Sequence, residues 1–349
     1  MSLIKKIGIV ILAVIVLLAV GSVIYSRLRK PTEQPENGEV VDQQAPAEPA
    51  VEPFISGSFS DLVASADGTT LGYLDTANFT FVRYNIATAT PTNSTVTAVP
   101  DQVVWNTDLS RVIIKTTNLS SARTENPDFV SDREEGAAVY RVADLGSGDK
   151  QLLPNGIVAA NWLGAEILAT RTEQEATQFV SFDTSSLQEK PLVTVPEKTL
   201  QWLPSPSGAT IVAWTRAEQP AIYLIDVTSK KVSQVKGSGT IKDMTISPDG
   251  STALFTAKSG IEQRLFKIDL KSRKITKAPV NLDLSLSAWI DSTRLAVLKG
   301  DAIVEYQPSD DVLSEPGTPV STSGTVRQLI AADNQLYFLT DSGVFKPGF

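Results

Sequence analysis

The stretch ISPDGSTALFTA, Ile246–Ala257, reads as a turn, Ser247-Pro248-Asp249-Gly250, feeding a short apolar strand. Proline presets the first turn residue, aspartate bonds the backbone ahead of it, and glycine accepts the left-handed conformation that closes it. Weaker copies run along most of the chain. Aligned on the first apolar residue after each turn, they fall at Leu71, Val112, Ile167, Ile211, Ala253, Leu295 and Leu336. The steps between them are 41, 55, 44, 42, 42 and 41 residues.

A period of this length, with alternating apolar residues and a turn inside each unit, is the signature of a propeller blade. Seven such units fill Phe54 to Phe349. The predicted fold class is therefore all-β, a seven-bladed β-propeller with about 42 residues per blade. The strand before the turn often ends in tryptophan, at Trp105, Trp162, Trp202 and Trp289, which suits wedging between neighbouring blades better than a ligand ring. Asp183, Asp226 and Asp269 recur every 43 residues before Ser or Lys, as hairpin-turn residues do. The last unit offers three strands, VRQLIAA, NQLYFLT and GVFKPGF, where a blade takes four. PFISGSF lies unassigned at the other end, so Phe54–Phe59 is expected to pair as the outer strand of the last blade and latch the ring.

The Ser-Pro-Asp-Gly turn leading into an apolar strand, followed by a strand that ends as in IDVTSKK or LFKIDLKSRK, resembles the repeat of TolB-type and WD-like bacterial β-propellers. The resemblance covers most of Phe54–Phe349 and is best in the units around Ser205 and Ser247. It implies the fold; propellers host binding platforms and enzymes alike, so it does not choose between them.

Composition narrows the chemistry. The 349 residues include no cysteine and no histidine, which excludes disulfides, thiolate or imidazole metal sites and any Ser-His-Asp triad. No metal or other cofactor is expected. The formal net charge is −8, and no local basic stripe that would override this field is evident, so nucleic acid is not an expected partner.

The N-terminus speaks to location. After a stub of residues 1–6, Ile7–Tyr25 holds nineteen residues without a charge, enough at about 1.5 Å each to cross the hydrocarbon layer. A retained transmembrane helix at 7–25 is the expectation. The alternative is a signal peptide with Ala19-Val20-Gly21 as its small-residue site. Residues 26–53 form a basic stop, Arg27, Arg29 and Lys30, and then a disordered linker rich in proline and glutamate. The propeller, 54–349, is expected on the extracytoplasmic side of a single-pass membrane protein.

The step of 55 residues marks one stretched repeat. TNLSSARTENPDFVSDREEGA, Thr117–Ala137, is a long polar insertion, and long loops on a rigid scaffold tend to carry binding. Its candidate binding residues are Arg123, Asp128, Phe129, Asp132 and Arg133, an aromatic flanked by cations and carboxylates as in protein hot spots. The expected function is a membrane-tethered, non-catalytic binding platform for a protein, peptide or cell-envelope polymer. The alternative is a carboxylate-dependent glycosidase or lyase working with paired Asp/Glu near the channel.

Overall fold

The computed structural model describes residues 52–95, 100–117, 138–320 and 324–346. The stub, the expected membrane helix at 7–25 and nearly all of the linker lie outside the described residues. Among the described residues no helix is long and apolar enough to cross a membrane.

The described chain is entirely strands and turns. A two-residue strand, β1 (Ile55–Ser56), comes first. The first sheet is β2 (Phe59–Ala64), β3 (Thr70–Asp75), β4 (Thr80–Asn85) and β5 (Thr90–Thr95). The second is β6 (Gln102–Trp105), β7 (Arg111–Thr116), β8 (Val139–Asp144) and β9 (Lys150–Leu152). The third is β10 (Ile157–Leu163), β11 (Glu166–Glu173), β12 (Ala176–Phe182) and β13 (Glu189–Val195). The fourth is β14 (Gln201–Pro204), β15 (Thr210–Trp214), β16 (Ala221–Asp226) and β17 (Lys231–Lys236). The fifth is β18 (Thr240–Ile246), β19 (Thr252–Ser259), β20 (Glu262–Asp269) and β21 (Lys274–Lys277). The sixth is β22 (Ser287–Trp289), β23 (Leu295–Lys299), β24 (Ala302–Gln307) and β25 (Val312–Pro319). The seventh joins both ends of the domain, β26 (Gln328–Ala332), β27 (Gln335–Thr340) and β28 (Gly343–Phe345) with β1 on its outer edge.

Each sheet is an antiparallel meander, and seven apolar clusters lie between successive sheets. One of them joins the seventh sheet to the first through Leu62, Leu71, Tyr73, Tyr337 and Val344, so the ring is closed. This is a seven-bladed β-propeller. Because every sheet is sandwiched between two others, its second strand is buried on both faces. β15 and β19 accordingly read as continuous apolar runs, not as the alternation expected from sequence. Alternation survives on outer strands such as β17, which has a blade on only part of its surface.

The recurring turn has a physical explanation. Buried Ser247 donates its hydroxyl to Asp249 Oδ1 at 2.6 Å and accepts the Thr252 N–H at 3.0 Å, while Asp249 accepts the Ser251 N–H at 3.1 Å. Ser65 and Asp67 repeat the arrangement with Thr70 and Thr69. The glycine closes it at φ +71°, and a Cβ on Gly68 would collide with the backbone nitrogen of Asp333 on the preceding blade. At Gly68 only glycine therefore lets the two turns nest, whereas the second blade carries Leu109 at the equivalent position with φ +59°.

These bonds also set an acid limit. The Ser65 hydroxyl, then Thr69, hold the Asp67 carboxyl below the usual carboxylate range. The Ser247 hydroxyl does the same for Asp249, and the Ser229 and Ser272 N–H groups do it for Asp226 and Asp269. A carboxylate whose pKa is depressed on folding stabilises fully above its unfolded value, near 3.9, and loses that contribution as pH falls through the folded value. Thermal melts should be nearly flat above about pH 5 and fall steadily below about pH 4. A midpoint unchanged down to pH 3 or so would contradict this linkage.

Closure has an inner and an outer part. On the outer edge Ile55 pairs with Val344 and Ser56 with Gly343. The expected latch segment is thus divided: Ile55–Ser56 completes the seventh blade, and Phe59 already begins the first. On the inner edge Asp61 adopts φ +55° at a bulge in β2, which turns the Leu62 backbone away from its own ladder. The Gln328 amide meets it from the seventh blade. Its Oε1 accepts the Leu62 N–H at 3.1 Å, and its Nε2 donates to the Leu62 carbonyl at 2.6 Å.

Candidate ligand-binding surface

The meander defines two ends of the ring. At the turn end lie the first-to-second and third-to-fourth strand turns of each blade; at the connection end lie the second-to-third turns and the crossings between blades. β1, antiparallel to β28, is entered from the turn end.

The tryptophans belong to the packing. Trp162 donates its indole N–H to the Val104 carbonyl of the preceding blade at 2.8 Å, and Trp289 donates to the Thr245 hydroxyl at 2.9 Å. Trp105 and Trp202 meet Phe81 and Phe179 of their preceding blades edge to face, at 5.4 and 5.7 Å. The aspartates that end the third strands are turn residues: the carboxylates of Asp183, Asp226 and Asp269 accept backbone N–H groups two or three residues ahead.

The five sequence candidates Arg123, Asp128, Phe129, Asp132 and Arg133 lie outside the described residues. Their connection leaves β7 and enters β8 where Thr116 pairs with Val139, at the connection end. At the same end a cleft of 650 Å³ opens between the fourth and fifth blades. It is lined by Glu218 and Gln219, by Ser238–Lys242, and by Lys258–Gly260. Lys242 reaches Asp283 at 3.5 Å on one side of it. The hairpin joining β19 to β20 turns at Gly260, φ +62°, and throws Ile261 into solvent at 99% exposure on the cleft's rim. Among the described residues, Phe79, in the equivalent hairpin of the first blade, and Val158, entering the third, are the other large apolar residues exposed at this end. Sequence reasoning missed the cleft because its walls come from three separated segments.

Catalytic groups are a different matter. The inner strands carry two carboxylates, Asp61 on the first blade and Asp243 on the fifth. Asp61 accepts the Ser60 hydroxyl at 2.7 Å, and Asp243 accepts the Thr256 hydroxyl at 3.3 Å. Among the described residues every aspartate with a clearly displaced pKa is displaced downward, the opposite of what a general acid needs. Among the described residues no three acidic side chains converge as metal ligands.

No family model matches the sequence, and no curated protein does. Solved structures do match. Hydrazine synthase from Kuenenia stuttgartiensis superposes with a TM-score of 0.57 at 13% identity, over 85% of this chain and 97% of that one. The Cps50 (Swd1) β-propeller domain of Myceliophteria thermophila gives 0.57 at 12% identity, over 85% and 99%. TolB from Acinetobacter baumannii gives 0.45 at 15% identity, over 76% and 65%. At these identities the likeness is one of fold alone, and the chain's own seven four-stranded sheets make it a seven-bladed β-propeller.

Proposed function

We propose that the protein is a non-catalytic binding platform, tethered to a membrane through residues 7–25 with its propeller on the extracytoplasmic side, which takes a protein, peptide or cell-envelope polymer at its connection end. The observation that carries this reading is the 650 Å³ cleft between the fourth and fifth blades with Ile261 fully exposed on its rim. A cleft of this size with mixed walls suits a ligand held by a few polar contacts, and an exposed isoleucine beside it suits a partner's apolar pocket. The long connection carrying Arg123, Asp128, Phe129, Asp132 and Arg133 belongs to the same face in this reading. The turn hydrogen bonds that keep the aspartates ionised support a structural role for them over an enzymatic one.

Complementation of a deletion strain separates this reading from a carboxylate-dependent glycosidase or lyase. Asp61→Asn combined with Asp243→Asn should leave the phenotype intact, and Ile261→Asp should abolish it while the melting temperature stays unchanged. Loss of function in the Asn pair with Ile261→Asp fully active would favour the enzyme.

A further inference from the structure

The chain as a whole is acidic, yet its cations are not spread evenly. Between Thr228 and Lys277 stand eleven Lys and Arg against four Asp and Glu, a local balance of +7 inside a protein of −8, leaving −15 for the rest. Apart from the pairs Lys230-Lys231 and Arg273-Lys274, these cations are spaced out by apolar and turn residues, which dilutes the concentration in the sequence. The fold gathers them on the fourth and fifth blades, where the outer strands β17 and β21 each carry a lysine at both ends: Lys231 and Lys236, Lys274 and Lys277.

At the turn end of this seam lies a second cleft, of 310 Å³. Lys231, Lys271 and Arg273 line it together with Thr210, Ser233 and Ser251, and Asp226 is its one carboxylate. That carboxylate already accepts the Ser229 N–H at 2.7 Å. Lys231, Lys271 and Arg273 form no ion pair among the described residues, whereas the neighbouring Lys267 is bound to Asp311 at 3.3 Å and Lys230 to the Pro191 carbonyl at 2.9 Å. Three cations without a close ion pair and three hydroxyls thus share one groove on an otherwise acidic molecule, with Asp226 facing Lys231 and Asp269 near Lys271.

We propose that the turn-end cleft between the fourth and fifth blades binds an anionic polymer built on sugars or polyols, its carboxylate or phosphate groups taken by Lys231, Lys271 and Arg273 and its hydroxyls by Thr210, Ser233 and Ser251. The inference rests on reading the protein as a binding platform and adds a second surface with a stated ligand chemistry. The hydroxyl-rich wall suits a polyhydroxylated backbone. Nucleic acid is disfavoured because the cleft has no aromatic wall on which a base can stack.

The test is fluorescence anisotropy of the full chain with labelled alginate, a carboxylate polymer, and with labelled poly(glycerol phosphate), beside neutral dextran and single-stranded DNA. At least one of the two anionic polymers should bind, dextran should not, and affinity should fall tenfold or so when salt rises from about 50 to about 200 mM. Which polymer binds tells the carboxylate source from the phosphate source. The triple variant Lys231→Glu, Lys271→Glu, Arg273→Glu should weaken binding at least about tenfold with an unchanged melting curve, because each charge-assisted contact is reversed. Lys346→Glu, on the seventh blade, should change nothing. Should the triple variant unfold, the milder Lys231→Gln with Lys271→Gln serves the same comparison. Failure of both anionic polymers, undiminished binding by the triple variant, or equal binding of DNA overturns the proposal. If Ile261→Asp alone abolishes polymer binding, the polymer occupies the connection end; the cleft assignment then fails while the platform reading stands.

Discussion

Removing Gly343–Phe349 should open the ring. β28 would be lost, β1 would have no strand to pair with, and the apolar surface covered by Val344 and Phe345, 0% and 1% exposed, would be uncovered. Burying each such side chain is worth about 1.5–3 kcal/mol, so these two alone account for a large share of a typical total of about 5–15 kcal/mol. The expected result is loss of a single cooperative melt, or a midpoint lower by about 10 °C or more. Gln328→Ala attacks the same closure from the inside. It strands the N–H and carbonyl of buried Leu62, at a cost of about 1–3 kcal/mol. An unchanged melting curve for the truncation would mean that the contacts between the first and seventh blades hold the ring without a latch.

Trp162→Ala should be the most damaging single substitution among the tryptophans. Its indole is 6% exposed, sits in the cluster joining the second and third blades with Ile113, Tyr140 and Phe182, and donates to the Val104 carbonyl. Truncating a large buried aromatic costs about 3–5 kcal/mol. Trp162→Phe keeps most of the packing and strands only the Val104 carbonyl, so it should cost about 1 kcal/mol. Chemical denaturation of the two variants separates them. Equal losses would show that the hydrogen bond, and not the wedge, joins the blades.

The architecture was legible because its determinants are local. Ser247, Asp249 and Gly250 bond to one another and to the strand that follows, so the turn is written in a few consecutive residues, and the arrangement recurs at Ser65, Asn106 and Ser205 in the first, second and fourth blades. Trp162 and Asp226 likewise declare their places by their spacing. What sequence could not reveal arises between blades. The buried faces of β15 look like any apolar run until a sheet is placed on each side. The 650 Å³ cleft needs Glu218, Thr240 and Lys258 brought together from three segments. The basic seam is diluted in the chain by the residues that alternate with its lysines. Pairing of Ile55 with Val344 spans nearly the whole domain, and only the count of three strands in the last unit hinted at it.

In the proposed reading this cysteine-free chain presents its connection end to a partner outside the membrane. Single cysteines at Ile261, on the rim of the connection-end cleft, and at Thr228, in a turn at the opposite end, allow one direct measurement with a membrane-impermeant thiol crosslinker on intact cells. Both positions should react before lysis, and only the Ile261 cysteine should yield a discrete protein adduct. No reaction at either position until lysis, or the same adducts from both, would contradict it.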